Sequence, residues 1–247
     1  MKNLNKNMYH SENYKIYSFN CNENGEASYQ SLVQYMIETS IEQTNIVMKN
    51  NHDFDDYFWV IYQWDIDFIK RPKMGDEIII ETVSAGAKKF YAYRNFTIFD
   101  EEGNVFVQAK SKWLLLNKNR KMPVRVPDEL INLYGKDESL EVINGEFDFN
   151  KDLEFTTEMD FRIRKSDIDT NKHVNNAKYI DWILETFNGY KKIDKIQLTY
   201  KKETRYGEEI KSKSTELLEE NGNKVMYNII EDSEGNVKTL SKIYLGD

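Results

Sequence analysis

An internal repeat constrains this chain more than any other feature. "MGDEIIIET" at 74–82 resembles "YGEEIKSKS" at 206–214, and "FDEEGNVFV" at 99–107 resembles "EDSEGNVKT" at 231–239. Gly75 and Gly207 lie 132 positions apart, and so do Gly103 and Gly235. A constant shift across two turn signals marks a repeated supersecondary unit. Upstream, "LVQYMIET" at 32–39 matches "YIDWILET" at 179–186 at a shift of 147, so the first copy carries 15 more residues between its helix and its sheet. The extra segment includes "VMKNNHDFDDY". The chain therefore divides into units at 1–130 and 150–247, joined by a linker at 131–149 near two of the three prolines, with one short helix starting near Pro127.

Each unit has the same order of elements. In the second, Ala177, Ile180, Ile183, Leu184 and Phe187 recur at helical spacing. Asn175 or Asn176 suits the N-cap and Gly189 the C-terminal stop. Tyr179 and Trp182 make this helix apolar around most of its girth, which predicts burial. In the first unit "FWVIYQWDIDFI", "DEIIIETVSAG", "KKFYAYRNFTIFD" and "NVFVQAKSKWLLLN" read as consecutive strands separated by turn residues. One buried helix and one antiparallel sheet per unit make the fold class α+β.

Composition narrows the function. At 40% hydrophobic and 13% aromatic the 247 residues can bury a substantial core. A net charge of −8 argues against nucleic acid as a partner. Apolar runs such as "DEIIIETV" and "WLLLN" fall far short of the roughly 20 residues that span a bilayer, so no stable membrane insertion is expected. The polar start "MKNLNKNMYHSENYKIYSF" lacks the apolar centre of a secretory signal. Cys21 is the lone cysteine, so no intrachain disulfide can form. These features predict a cytoplasmic protein.

"DIDTNKHVNNAKYIDWILE" at 167–185 closely resembles the signature of acyl-acyl-carrier-protein thioesterases. "RPKMGDEIIIET", "RNFTIFDEEGNVFVQAKSKWLLLNKNRKM" and "VPDEL" resemble the first domain of the same family, so the likeness spans about residues 27–210. The resemblance implies a tandem hotdog, each unit an antiparallel sheet wrapped around one long central helix. It implies hydrolysis of fatty acyl-carrier thioesters to free fatty acid and carrier thiol in fatty acid biosynthesis, without cofactor or metal. Carried over residue by residue, the family's catalytic positions are Asp169, Asn171, His173 and Glu203. In plant members a cysteine follows that glutamate; here Thr204 stands there, and Cys21 lies far upstream.

Hydrolysis needs a base for water and donors for the oxygen that becomes negative. Glu203 is expected to act as base, alone or with His173; His173 to orient water and protonate the leaving thiolate; Asn171 to position water or carbonyl; Asp169 to hold the loop. The helix start in "HVNNAK" is the expected oxyanion site. At the repeat shifts Glu26 stands where His173 does, Asn24 where Asn171 does, and Arg71 where Glu203 does, so one active site is expected, on the second unit. The first unit is expected to hold the acyl chain through Leu32, Met36, Phe58 and Tyr62. Lys172, Lys178, Lys201, Lys202 and Arg205 are candidates for docking an acidic acyl carrier protein.

Other readings compete. Asp and Asn before a helix commonly just cap it. The Asp167, Asp169, Asn171 spacing fails as a calcium loop because Lys172 and Lys178 fill its glycine and glutamate positions. Zinc lacks a ligand set, with His10 and His52 distant and no cysteine pair. An acyl-CoA thioesterase, a hotdog dehydratase and a non-catalytic acyl-binding hotdog remain alternatives. The fused pair already satisfies the usual hotdog dimer, which leaves a further homodimer open.

Overall fold

Gly75 and Gly207 adopt φ of 96° and 83°, and Gly103 and Gly235 adopt 83° and 79°, so the turns anticipated from the repeat form with the same left-handed backbone. The later pair share one hydrogen-bond scheme. Asp100 and Asp232 accept from the N–H groups of Asn104 and Asn236 at 2.8 and 2.9 Å. A computed structural model describes residues 7–49, 51–149, 152–170, 172–187 and 192–246. These fall into two compact units, residues 1–62 with 68–144, and residues 63–67 with 145–247.

The first unit contains strand β1 (Tyr9–Lys15), helix α1 (Tyr29–Met48), strands β2 (Tyr57–Phe68), β3 (Glu77–Lys88), β4 (Tyr91–Phe99) and β5 (Val105–Asn117), and helix α2 (Asp128–Tyr134). Its antiparallel sheet runs in the order β1, β3, β4, β5, β2. Along β3, Ile78, Ile80 and Thr82 are buried and Glu77 is exposed, the alternation of a sheet with one covered face. Helix α1 starts where the Ser28 hydroxyl accepts the Ser31 N–H at 3.0 Å. It buries Leu32, Val33 and Met36 completely, worth roughly 2 kcal/mol each.

The first unit extends to Asn144, past the boundary at 130 suggested by the sequence. Leu130 and Tyr134 join a core cluster with Val47, Leu115 and Val126, and the Tyr134 hydroxyl bonds Thr44 at 3.0 Å. The Ser84 hydroxyl donates to the Gly135 carbonyl at 2.9 Å, and the Asn95 amide to the Glu141 carbonyl at 3.1 Å. The segment read as a linker is thus mostly fastened to the first sheet. Polar residues around them masked its two buried anchors, Tyr134 and Ile143.

The second unit contains β6 (Phe155–Arg162), α3 (Lys178–Leu184), β7 (Ile193–Tyr200), β8 (Glu209–Thr215), β9 (Leu218–Glu220), β10 (Asn223–Asp232) and β11 (Val237–Leu245). Its sheet runs β7, β11, β10, β8, β6, with β9 beside β10. Residues 63–67 of β2 pair with β7 from Gln63 opposite Thr199 to Asp67 opposite Lys195. Strands β3 and β8 start at Glu77 and Glu209, and β5 and β11 at Val105 and Val237, each pair at the repeat's spacing of 132. Isolated bridges Cys21–Ala27 and Ile168–Val174 keep the spacing of 147. This is a tandem hotdog of class α+β.

The two central helices differ in length. Helix α1 has 20 residues and α3 only seven, because the first copy's extra residues extend α1 to Met48. Tyr179, Ile180, Trp182 and Ile183 of α3 are buried, as the apolar girth predicts. The N-cap of α3 is Ala177 and not Asn175 or Asn176; the Asn175 side chain accepts the Ala177 N–H at 2.9 Å and shapes the turn that enters the helix. After α3, the buried Thr186 hydroxyl bonds the Ile183 carbonyl at 2.7 Å and joins a buried cluster of Asn228, Ser212 and Ser214. The expected stop at Gly189 lies outside the described residues.

Candidate active site

The loop before α3 is a small closed structure. Ile168 and Val174 pair across it, Asp169 N–H donates to the His173 carbonyl at 2.8 Å, and Lys172 takes a left-handed φ of 67° at the tip. Asp169 Oδ1 accepts the His173 backbone N–H at 3.3 Å. Asp169 therefore shapes the backbone that presents the imidazole. Asn171 lies outside the described residues. Below the loop, Asp167 is buried and accepts three bonds from Arg164, two from the guanidinium and one from the main chain. Burial alone would raise its carboxyl pKa; those bonds override it and hold the pKa below the ordinary value.

Glu203 follows β7. His173 Nε2 and Glu203 Oε2 stand 2.9 Å apart, so the structure brings these two sequence-predicted residues together. The other carboxylate oxygen, Oε1, accepts from Arg205 Nε at 3.2 Å. Bonding to Glu203 raises the Arg205 pKa. Both side chains of the pair are partly open, at 34% for His173 and 45% for Glu203, so water reaches the site. A proton on Nε2 is needed for the bond to the carboxylate. In neutral imidazole that leaves Nδ1 bare, and Nδ1 carries no bond among the described residues.

Two fastenings hold the Glu203 loop. Val174 N–H donates to the Thr204 carbonyl at 3.0 Å, tying it to the His173 loop. Lys238 Nζ donates to the Glu203 carbonyl at 3.2 Å and also meets Glu208 at 3.0 Å and Asp232 at 3.3 Å, while only 2% exposed. Lys238 escaped the sequence reading because "EGNVKT" looks like a solvated hairpin strand. Its one signal is the repeat, which puts a buried cation opposite Phe106 of the first unit. Thr204, in the position of the plant cysteine, is fully buried and does not face solvent.

The expected oxyanion site at the helix entrance is narrowed by the bonds there. The N–H groups of His173, Asn175, Ala177 and Lys178 have acceptors within the loop, at Asp169, Asp167 and Asn175, and that of Val174 donates to Thr204 on the Glu203 loop. These five donors are therefore engaged in closing the turn before α3.

The first unit has a different occupant at the equivalent position. Arg71 Nη2 donates to Glu26 Oε2, and the guanidinium lies 4.6 Å from the Tyr29 ring centroid. An ion pair thus replaces the histidine–glutamate pair. Leu32 and Met36 are closed inside the core, and Phe58 and Tyr62 are half-buried. A small cavity in the first unit, with room for only a few waters, has none of these four in its wall; Trp59, Tyr93, Arg94 and Trp113 are there instead. Of the expected docking cations, Lys178 pairs with Asp181, Lys201 with Glu146 and Arg205 with Glu203. Lys172 and Lys202 are exposed and form no ion pair among the described residues.

Residues 7–134 match the acyl-ACP thioesterase N-terminal domain and residues 150–244 the C-terminal domain of that family. The chain belongs to the acyl-ACP thioesterase family. A palmitoyl-acyl carrier protein thioesterase of Cuphea hookeriana is 28% identical over 192 residues, covering 71% of this chain and 46% of that protein. The chain spans about half the length of the curated family members it matches. Among solved structures, an acyl-ACP thioesterase from Bacteroides thetaiotaomicron superposes with a TM-score of 0.83 at 20% identity, covering 98% of this chain and 99% of that one. A 12:0-ACP thioesterase from Umbellularia californica gives 0.80 at 17% identity, covering 97% and 94%. At these identities the structural likeness carries the tandem hotdog fold.

Proposed function

We propose that the chain hydrolyses fatty acyl thioesters of acyl carrier protein, releasing free fatty acid and the carrier's pantetheine thiol, in cytoplasmic fatty acid synthesis. Family membership supports the reaction class, and the His173–Glu203 contact is the observation that carries the site. Both Glu203 oxygens are engaged, one by His173 and one by Arg205, which favours orientation and charge stabilisation for the carboxylate. The bare Nδ1 of His173 then takes the proton from attacking water, and the imidazolium formed is stabilised by Glu203. The same proton passes to the departing thiolate, so the reaction balances without a cofactor. Asp169 holds the loop and Asn171 positions water or carbonyl. The first unit holds the acyl chain.

The test is thiol release from acyl carrier protein and from acyl-pantetheine, followed with a thiol reagent. His173→Ala and Glu203→Gln should each lower kcat by about 10²-fold with the fold intact by circular dichroism. Cys21→Ser should be nearly silent. A dead Cys21→Ser enzyme beside an active Glu203→Gln enzyme would overturn the mechanism, and an enoyl product without thiol release would make the protein a dehydratase.

A further inference from the structure

The inner face of the second sheet is polar where that of the first is not. Ser212 and Ser214 on β8, Asn228 on β10, and Thr239 and Ser241 on β11 are fully buried. At the repeat's spacing of 132 the first unit has Ile80, Thr82, Phe96, Val107 and Ala109 in their places, also buried. The first copy thus builds the same sheet on a mostly apolar face, so the fold does not require this amide and these hydroxyls. Burying them is costly unless each has a partner. Asn228 has partners on one side. Its Nδ2 donates toward Ser212 at 2.9 Å and Ser214 at 3.0 Å on β8, and toward Thr186 at 3.2 Å past the end of α3. Its Oδ1 and the hydroxyls of Ser241 and Thr239 are buried without a partner among the described residues.

Asn228 and Ser241 stand directly opposite each other on β10 and β11, and Thr239 lies two residues along β11 on the same face. Side chains paired in this way point to one side with Cβ atoms about 5 Å apart. Asn228 Oδ1 and Ser241 Oγ nevertheless form no bond, so they stand farther apart than a hydrogen bond spans. A polar separation of that size is one that a single water bridges. Room comes from the same replacements, since Asn228 stands where the first unit has Phe96 and Ser212 where it has Ile80. We propose that the second unit's core is a site for ordered water, held between Asn228 Oδ1 and the Ser241 hydroxyl with the Thr239 hydroxyl beside it. The water donates to Oδ1 and accepts from Ser241, which satisfies both. All three unpartnered atoms are uncharged, which suits water and offers no counter-charge to an ion. Thr239 is in turn opposite Tyr200, whose hydroxyl donates to the Asn176 carbonyl at 2.7 Å. The water therefore completes the floor on which α3 and its entrance loop rest. The inference concerns the core of the second unit and stands apart from the hydrolytic reading.

The experiment pairs a high-resolution crystal structure of the full chain with the thermal unfolding of Ser241→Ala. The first unit has Ala109 at the equivalent position, so a sheet of this kind accommodates the change. The wild type should show water density within about 3 Å of both Asn228 Oδ1 and Ser241 Oγ. Ser241→Ala should remove that density and lower Tm by about 2–4 °C, because the amide oxygen stays buried and loses its bridge. The sign of the shift decides. A buried hydroxyl with no partner is itself destabilising, so deleting an idle one leaves Tm unchanged or raises it. A wild-type structure without density between the two atoms would overturn the proposal, and so would density belonging to a larger molecule. A Ser241→Ala protein at least as stable as the wild type would overturn it equally, since the hydroxyl would then hold nothing.

Discussion

Lys238 shows how one residue outside the His173–Glu203 pair fastens the loop that carries Glu203. Its ammonium is buried among Glu208, Asp232 and the carbonyl of Glu203. Burial alone would raise the Asp232 pKa, but bonds from Asn236 and Lys238 bring it down to about 2. Removing the cation leaves two carboxylates facing each other beneath the Glu203 loop. Lys238→Met should lower the melting temperature by about 5 °C or more and kcat by about tenfold or more, with KM for acyl-pantetheine little changed. Lys238→Arg should recover part of both. A loss confined to KM would mean that the loop's position does not govern the chemistry. The pairing of His173 with Glu203 was legible in the motif; its support was not, because a lysine in a hairpin strand looks the same in sequence whether it faces solvent or two acids.

Among the elements, the turns were the most legible and the helix ends the least. Strand starts follow the repeat's spacing because each is pinned by a left-handed glycine turn. Gly103 and Gly235 sit at φ of 83° and 79° with open space where a Cβ would go, so the restriction there is in the backbone. Gly235→Ala should therefore cost about 1–2 kcal/mol by denaturant unfolding, and Gly235→Asn clearly less. Equal costs would show that packing controls this turn. The length of α3 could not be read from its apolar spacing, which runs on to Phe187. Just past the helix end at Leu184, the Thr186 hydroxyl bonds the Ile183 carbonyl and accepts from Asn228, a partner 42 residues away in sequence. The chain's apolar face was likewise visible in α1, but the cavity was not. Its wall comes from small residues and tryptophans on several strands, which no local periodicity brings together.

At the level of the whole molecule, charge is the open variable. The chain carries −8, and the partner of the proposed reaction, an acyl carrier protein, is acidic, so on that reading productive encounter requires local positive potential. Pairing of Lys178, Lys201 and Arg205 with acids narrows the candidates to Lys172 and Lys202, on the two loops that carry His173 and Glu203. Reversing both to Glu should raise KM for acyl carrier protein substrates several-fold and leave acyl-pantetheine unchanged. Added salt should act on the wild type with the same selectivity, since exposed charges are screened over about 8–10 Å. Equal responses of the two substrates would remove any basic docking face.

The Glu26–Arg71 pair has a meaning beyond the loss of a catalytic set. A guanidinium does not give up its proton in the physiological range, and a carboxylate beside it does not take one. On the proposed mechanism the second unit's loop would exchange a proton with each turnover, whereas the first unit's loop holds an ion pair at the same position. Duplication has thus separated two demands that a single hotdog must meet together. One copy keeps a partly open, titratable pair, and the other closes the same loop with permanent charges and frees its interior to vary. On the proposed function, changes that reshape the first unit could therefore accumulate without disturbing proton transfer, which would make binding preference the more readily evolved property.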